Sequence, residues 1–183
     1  MAEIVPLAVA STAIDGLLVL TTKAVTDERG TVREFFRASA FTEAGVRVPG
    51  TWQQVNLTWT VRGGVRGLHG EAMTKLVGIA SGEAFGAYLD GRPASPTRGA
   101  VVTVPLAVGT QVLVPAGVLN GFQAVTDCQY LYCFDAEWAP GMAGVAVTPL
   151  DPALGIAWPL PIDPANPAQI SAKDAAAPPF AAL

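Results

Sequence analysis

The chain has 183 residues, the length of one domain with tails, and is 51% hydrophobic and only 14% charged. That balance excludes a disordered chain and a Glu/Lys-rich coiled coil, and a net charge of −4 disfavours a nucleic-acid binder. Nineteen glycines and fifteen prolines suit short strands joined by turns better than long helices.

The N-terminal stretch from Ala2 to Leu20 is apolar but broken by Glu3, Pro6 and Asp15. No Lys or Arg precedes it, so it matches a secretory signal poorly. No apolar run approaches the roughly 20 residues of a spanning helix, and the expectation is a cytoplasmic protein without membrane contact. Leu17–Val25 and Val32–Ala38 are predicted strands, separated by Asp27-Glu28-Arg29-Gly30, and Phe41–Gly45 is a candidate single helical turn. Further strands are predicted at Thr51–Val61, Val65–His69, Lys75–Ala80, Ala84–Asp90, Ala100–Val104, Gln111–Val114, Gly121–Val125 and Gln129–Phe134. Their spacing is that of an all-β sandwich or barrel. Nine of the fifteen prolines follow Trp138, which predicts an irregular C-terminal arm over residues 139–183, lying on a core of about 14–138. No repeat or second domain is visible, so residues 1–183 read as a single domain.

Few residues are available for chemistry. His69 is the only histidine, so a site with several imidazole ligands cannot be built within one chain, and histidine-dependent acid–base chemistry must use His69. Cys128 and Cys133 lie in an apolar run and read as buried thiols in a reducing compartment. Ten of the eleven basic residues fall between Lys23 and Arg98, either as a solvated surface or in part as the lining of an anion site. Arg66 and His69 are three apart, on opposite faces of a strand unless a bulge intervenes. Tyr130, Tyr132 and Phe134 alternate onto one face, where Tyr132 is either core or functional.

Eight motifs then occur in one order. They are Asp27-Glu28-Arg29-Gly30 with Glu34; Gln54-Val55-Asn56; Arg66-Gly67-Leu68-His69; Lys75-Leu76-Val77; Ser95-Pro96-Thr97 with Gly99; Val114-Pro115 with Gly117 and Asn120-Gly121-Phe122; Asp151-Pro152 through Trp158-Pro159; and Ile170-Ser171 with Lys173-Asp174. In this order they resemble the dTDP-4-dehydrorhamnose 3,5-epimerase family, over about Ile14 to Phe180. The resemblance implies a cupin-type jelly roll that inverts carbons flanking the 4-keto group of a nucleotide-linked 6-deoxyhexose, without metal or organic cofactor. Such inversion needs a base on one side of the carbon and an acid on the other.

By the resemblance, His69 is the base and Asp174 its carboxylate partner. Tyr132, placed by its distance before Ala136-Glu137, is the acid, and Lys75 steadies charge on the carbonyl oxygen. Arg29, Arg66 and Lys173 are implied in phosphate or sugar binding, and Glu34, Gln54 and Asn56 in lining the cleft. A homodimer is implied, with Arg29 and Glu34 serving the partner's site. Each role has a plain alternative: Asp174 as a solvated tail residue, Lys75 as a strand-edge charge. The chain departs from the family at Asn120, where a histidine is usual, and at Gly86, where an aspartate is usual. Trp138 replaces a tyrosine near the sugar, Val32 replaces an aromatic, and only five residues separate His69 from Lys75. These departures leave open inversion at C3 alone, another nucleotide, or a catalytically silent module that binds a sugar nucleotide.

Overall fold

Period-2 alternation lays down three antiparallel sheets in the computed structural model, which describes residues 2–183. In chain order the strands are β1 (Glu3–Val5), β2 (Ala8–Ser11), β3 (Leu18–Thr21), β4 (Ala24–Asp27), β5 (Gly30–Arg33), β6 (Gln54–Thr60), β7 (Val65–Glu71), β8 (Lys75–Ser81), β9 (Glu83–Asp90), β10 (Val101–Ala107), β11 (Thr110–Val114), β12 (Val118–Ala124), β13 (Cys128–Phe134) and β14 (Gly144–Ala146). A short α-helix, α1 (Ala38–Glu43), connects β5 to β6, and another, α2 (Ala172–Ala175), lies in the arm beyond β14. A five-stranded sheet in the order β10-β9-β12-β7-β14 packs on a six-stranded sheet in the order β2-β3-β11-β8-β13-β6, while β1-β4-β5 forms a small sheet of its own. This is the expected all-β jelly roll.

The core lies between the two large sheets. Val77, Ile79, Val112 and Tyr130 of one meet Tyr88, Leu106, Phe122 and Ala124 of the other, and the rings of Phe122 and Tyr130 stack at 4.0 Å. The outer faces are covered too. Phe41, Val46 and Trp52 close over Leu20, Leu76 and Leu113 of the six-stranded sheet. Leu154, Ile156, Trp158 and Phe180 of the C-terminal arm close over Leu68, Ala87, Leu89 and Leu119 of the five-stranded sheet. Full burial of such a side chain is worth about 1.5–3 kcal/mol. Buried Leu154 and the partly buried Ile156, Trp158 and Phe180 together hold a proline-rich arm that has little secondary structure of its own. Polar clamps fix its path: Gln123 both donates to Leu160 O (3.0 Å) and accepts from Leu160 N (2.9 Å), and the Arg98 guanidinium lies over the Phe180 ring.

Several expected boundaries move. Leu17–Val25 is two strands in two sheets, because buried Thr22 leaves the first and donates its N–H to Gly109 O at 2.8 Å. The strand expected over Val32–Ala38 ends at Arg33, since Phe35 and Phe36 turn in to cover the six-stranded sheet, and the helix begins at Ala38 rather than Phe41. Strand β10 runs on through Pro105; it is an edge strand, where a missing N–H is tolerated. The arm contributes β14, which pairs with β7 at Gly144–Ala146. Among the described residues no helix is long and apolar enough to cross a membrane.

Candidate active site

Strand β7 presents the site, and a bulge shapes it. His69 pairs with Asn120 of β12, yet Arg66 pairs with Phe122, so three steps along β7 match two along β12. The extra residue turns Arg66 and His69 to the same cavity instead of opposite faces. Gly67 makes this register available. Its φ is +116°, and a Cβ there would lie 2.6 Å from Gly121 Cα and 2.8 Å from Asn120 O.

The carboxylate comes from the other end of the chain. Val65 N donates to Gln169 O at 2.6 Å, which draws the returning arm alongside β7. Ser171 then caps α2, its Oγ accepting from Asp174 N at 3.1 Å. Asp174 is thereby buried beside β7. Its Oδ1 lies 2.7 Å from His69 Nε2, and its Oδ2 accepts from the Gly67 N–H at 3.4 Å. Burial pushes the carboxyl up, but the His69 ring, the Gly67 N–H and Ser171 more than offset this, and its pKa falls below the ordinary value. Asp174 thus holds one ring nitrogen and leaves the other free to take a proton.

Tyr132 lines the same cavity from β13. It belongs to a column of rings, 4.7 Å from Tyr130 and 5.7 Å from Phe134, so the alternation expected of this strand holds. Burial drives its phenol up to about 12, with the Arg66 charge and the Thr58 hydroxyl pulling the other way. The group is therefore protonated at neutral pH and able to donate. Lys75 opens β8 with its side chain only 5% exposed. Its Nζ donates to Asn120 Oδ1 at 2.7 Å and to His69 O at 3.4 Å, and it is ion-paired with Glu71. Burial lowers its pKa, opposed by the Glu71 charge.

These groups border a cavity of about 250 Å³, also lined by Asn56, Thr58, Arg66, Phe134 and Trp138. A second cleft of about 520 Å³ shares Arg66, His69 and Tyr132 and continues between β6 and the arm past Lys173. Of the residues singled out in the sequence, the structure gathers His69, Asp174, Tyr132, Lys75, Arg66, Asn56, Asn120, Trp138 and Lys173 around these two spaces. Gln54 stands behind them, donating to Asn56 Oδ1 and accepting from Trp138 N. Arg29 and Glu34 are not brought there. Arg29 sits 90% exposed at the β4–β5 turn, paired with Asp27, and Glu34 pairs with Lys23 and Arg37. Glu71 and Thr58 were not foreseen; each lies two residues from a recognised site residue on the same strand, so alternation alone points to them. Gly86 has no room for a side chain, since a Cβ would lie 2.8 Å from Tyr88 Oη.

The chain is similar to known proteins in both sequence and fold. A family model described as dTDP-4-dehydrorhamnose 3,5-epimerase matches residues 11–182. The chain is 37% identical over 178 residues to the dTDP-4-dehydrorhamnose 3,5-epimerase of Salmonella typhimurium, covering 93% of each chain. It is 35% identical over 148 residues to a dTDP-4-dehydro-6-deoxyglucose 3-epimerase of Streptomyces bikiniensis, covering 75% of this chain and 73% of that one. It also superposes with TM-score 0.83 and 31% identity on a 3,5-epimerase of Legionella pneumophila solved with dTDP-4-keto-L-rhamnose, covering 100% of this chain and 95% of that one.

Proposed function

Because the chain belongs to the dTDP-4-dehydrorhamnose 3,5-epimerase family, we propose that it epimerises a dTDP-linked 4-keto-6-deoxyhexose in deoxysugar biosynthesis through the residues gathered around the two clefts. His69 removes the proton from a carbon next to the keto group, using the ring nitrogen that Asp174 does not hold. The negative charge passes to the keto oxygen, where the Lys75 ammonium stabilises it. Tyr132 returns a proton to the opposite face. Its phenol, pushed up to about 12 by burial, is protonated at neutral pH and so has a proton to give to the enolate carbon. The observation that carries this reading is the 2.7 Å contact between the only imidazole and a buried carboxylate, beside a cavity that is also lined by a partly buried phenol and a buried ammonium.

The larger cleft is the place for the nucleotide and diphosphate, with Arg66 and Lys173 as the cations at its wall. A homodimer completes the site. Strand β6 is an unpaired edge that turns Val55, Leu57 and Trp59 outward, more than half exposed, and Asn56 and Thr58 inward. The small sheet likewise exposes Ile4 and Val32. A second copy is the occupant these faces fit, and Arg29 and Glu34 then serve its site rather than their own. The chain acts as one domain, in the cytoplasm, on a free nucleotide sugar. Inversion at C3 alone is the second reading, favoured by Trp138 at the cavity wall and by the uncharged Asn120 among the polar groups.

The test is incubation with dTDP-4-keto-6-deoxyglucose and its UDP and GDP counterparts, with product configuration read by NMR. Epimerisation of the dTDP sugar at C3, or at C3 and C5, is expected. Binding of all three without inversion of any would refute the reading in favour of a silent binding module.

A further inference from the structure

Glu71 belongs to neither the imidazole–carboxylate pair nor the phenol, yet it is placed with them. It follows His69 by two residues on β7 and shares its face. Only Ala72, Met73 and Thr74 separate it from Lys75, and this short connection is fixed on both sides. Thr74 N donates to Asp135 Oδ1, Asp135 N donates to Thr74 O, Gly117 N donates to Glu71 O, and the Met73 side chain is buried. The turn therefore sets Glu71 and Lys75 side by side, and Glu71 Oε2 is buried facing the ammonium.

An ammonium has three protons to donate, and here three oxygen groups surround it: the Glu71 carboxylate as ion-pair partner, with Asn120 Oδ1 and His69 O as hydrogen-bond acceptors. Only the first carries charge. A buried ammonium without a counter-charge sheds its proton, and a neutral amine cannot stabilise an enolate. We propose that Glu71 is a positioning residue of this site, holding Lys75 in its ammonium form and keeping it aimed into the cavity. The longest of the three contacts, to His69 O at 3.4 Å, is the one that a substrate carbonyl oxygen displaces. The role of that oxygen rests on the epimerase reading; the ion pair does not.

The other charged or titratable groups around Lys75 are Arg66 and the His69 ring on β7 with Asp174 behind it, Tyr132 on β13, and Asp135 just beyond β13. Burial favours the amine form of Lys75, and Glu71 is the group that opposes it.

The chain has three lysines, Lys23, Lys75 and Lys173, so their side-chain signals in full-length protein carrying 13Cε-labelled lysine are readily resolved and assigned. Titrating wild type, Glu71→Gln, Glu71→Ala and Glu71→Asp gives the Lys75 midpoint directly, and turnover of dTDP-4-keto-6-deoxyglucose across pH is followed on the same samples. In Glu71→Gln or Glu71→Ala, whichever is folded, the Lys75 midpoint is expected to fall by about one pH unit or more, the size of effect of a lost opposite charge at close range. The alkaline limb of kcat should move down with it, and Glu71→Asp should return both towards wild type. An unmoved Lys75 midpoint in a folded variant overturns the proposal, as does a Glu71→Asp midpoint equal to that of Glu71→Gln. A shifted midpoint in a protein whose wild type turns over no such sugar supports the ion pair and overturns the epimerase reading instead.

Discussion

Asp174 shows how one residue serves the proposed chemistry and also leaves a mark on stability. Its carboxyl is held below its ordinary value of 3.8 by the His69 ring, the Gly67 N–H and Ser171, acting against burial. A depressed folded-state value contributes stability that is present above the unfolded value and is lost as pH falls through the folded one. The melting temperature of wild type should therefore exceed that of Asp174→Asn at neutral pH, and the difference should shrink as pH drops through the carboxylate range. A constant difference down to strong acid would mean that Asp174 is not held as its contacts require. His69 and Asp174 were legible as a pair only through the ordered motifs. They are 105 positions apart, and nothing in local spacing says that a proline-rich arm brings α2 back to β7. Tyr132 was equally readable as plain core, and it is both: its ring extends the aromatic column while its edge meets the cavity.

Among the elements, β7 departs from simple alternation at the site itself. The period-2 rule puts Arg66 and His69 on opposite faces, and the bulge at Gly67 is what overrides it. Gly67 and Gly70 flank Leu68 and His69, and the need for glycine at 67 is set by β12, where Gly121 and Asn120 O occupy the space of a Cβ. Gly67→Ala should cost about 1–3 kcal/mol by overpacking, with further cost from its positive φ, and should reduce turnover by displacing His69 from Asp174. Denaturant unfolding alongside kcat checks this, and wild-type stability with wild-type turnover would show that the register does not depend on the glycine. Strands with long β-rich runs, β8, β9, β11 and β13, were read to within a residue or so at each end. The three-residue strands β1 and β14 were not, because so short a pairing is dictated by a neighbouring strand rather than by its own composition.

For the molecule as a whole, the all-β class and an arm lying on the core followed from turn density, strand spacing and proline content, whereas the covering of the six-stranded sheet by Phe41, Val46 and Trp52 did not. The five-stranded sheet is apolar on its outer side because the arm lies there, and β6 is apolar on its outer side with nothing over it among the described residues. If β6 and the small sheet meet a second copy, so that Arg29 serves the partner's cavity, mixing two impaired variants restores activity. A dimer of one His69→Ala chain and one Arg29→Ala chain carries one intact site, so statistical mixing should recover about a quarter of wild-type sites. No recovery from a mixture shown by native mass spectrometry to contain the heterodimer would assign Arg29 to its own chain or to no site. The central claim, that His69 takes the proton and Tyr132 returns it to the other face, is tested most directly by following dTDP-4-keto-6-deoxyglucose in deuterated water by NMR. Wild type should incorporate deuterium with inversion, Tyr132→Phe should incorporate it at the same carbon with inversion reduced by about 10²-fold or more, and His69→Ala should do neither. Wild-type exchange in His69→Ala would contradict the account.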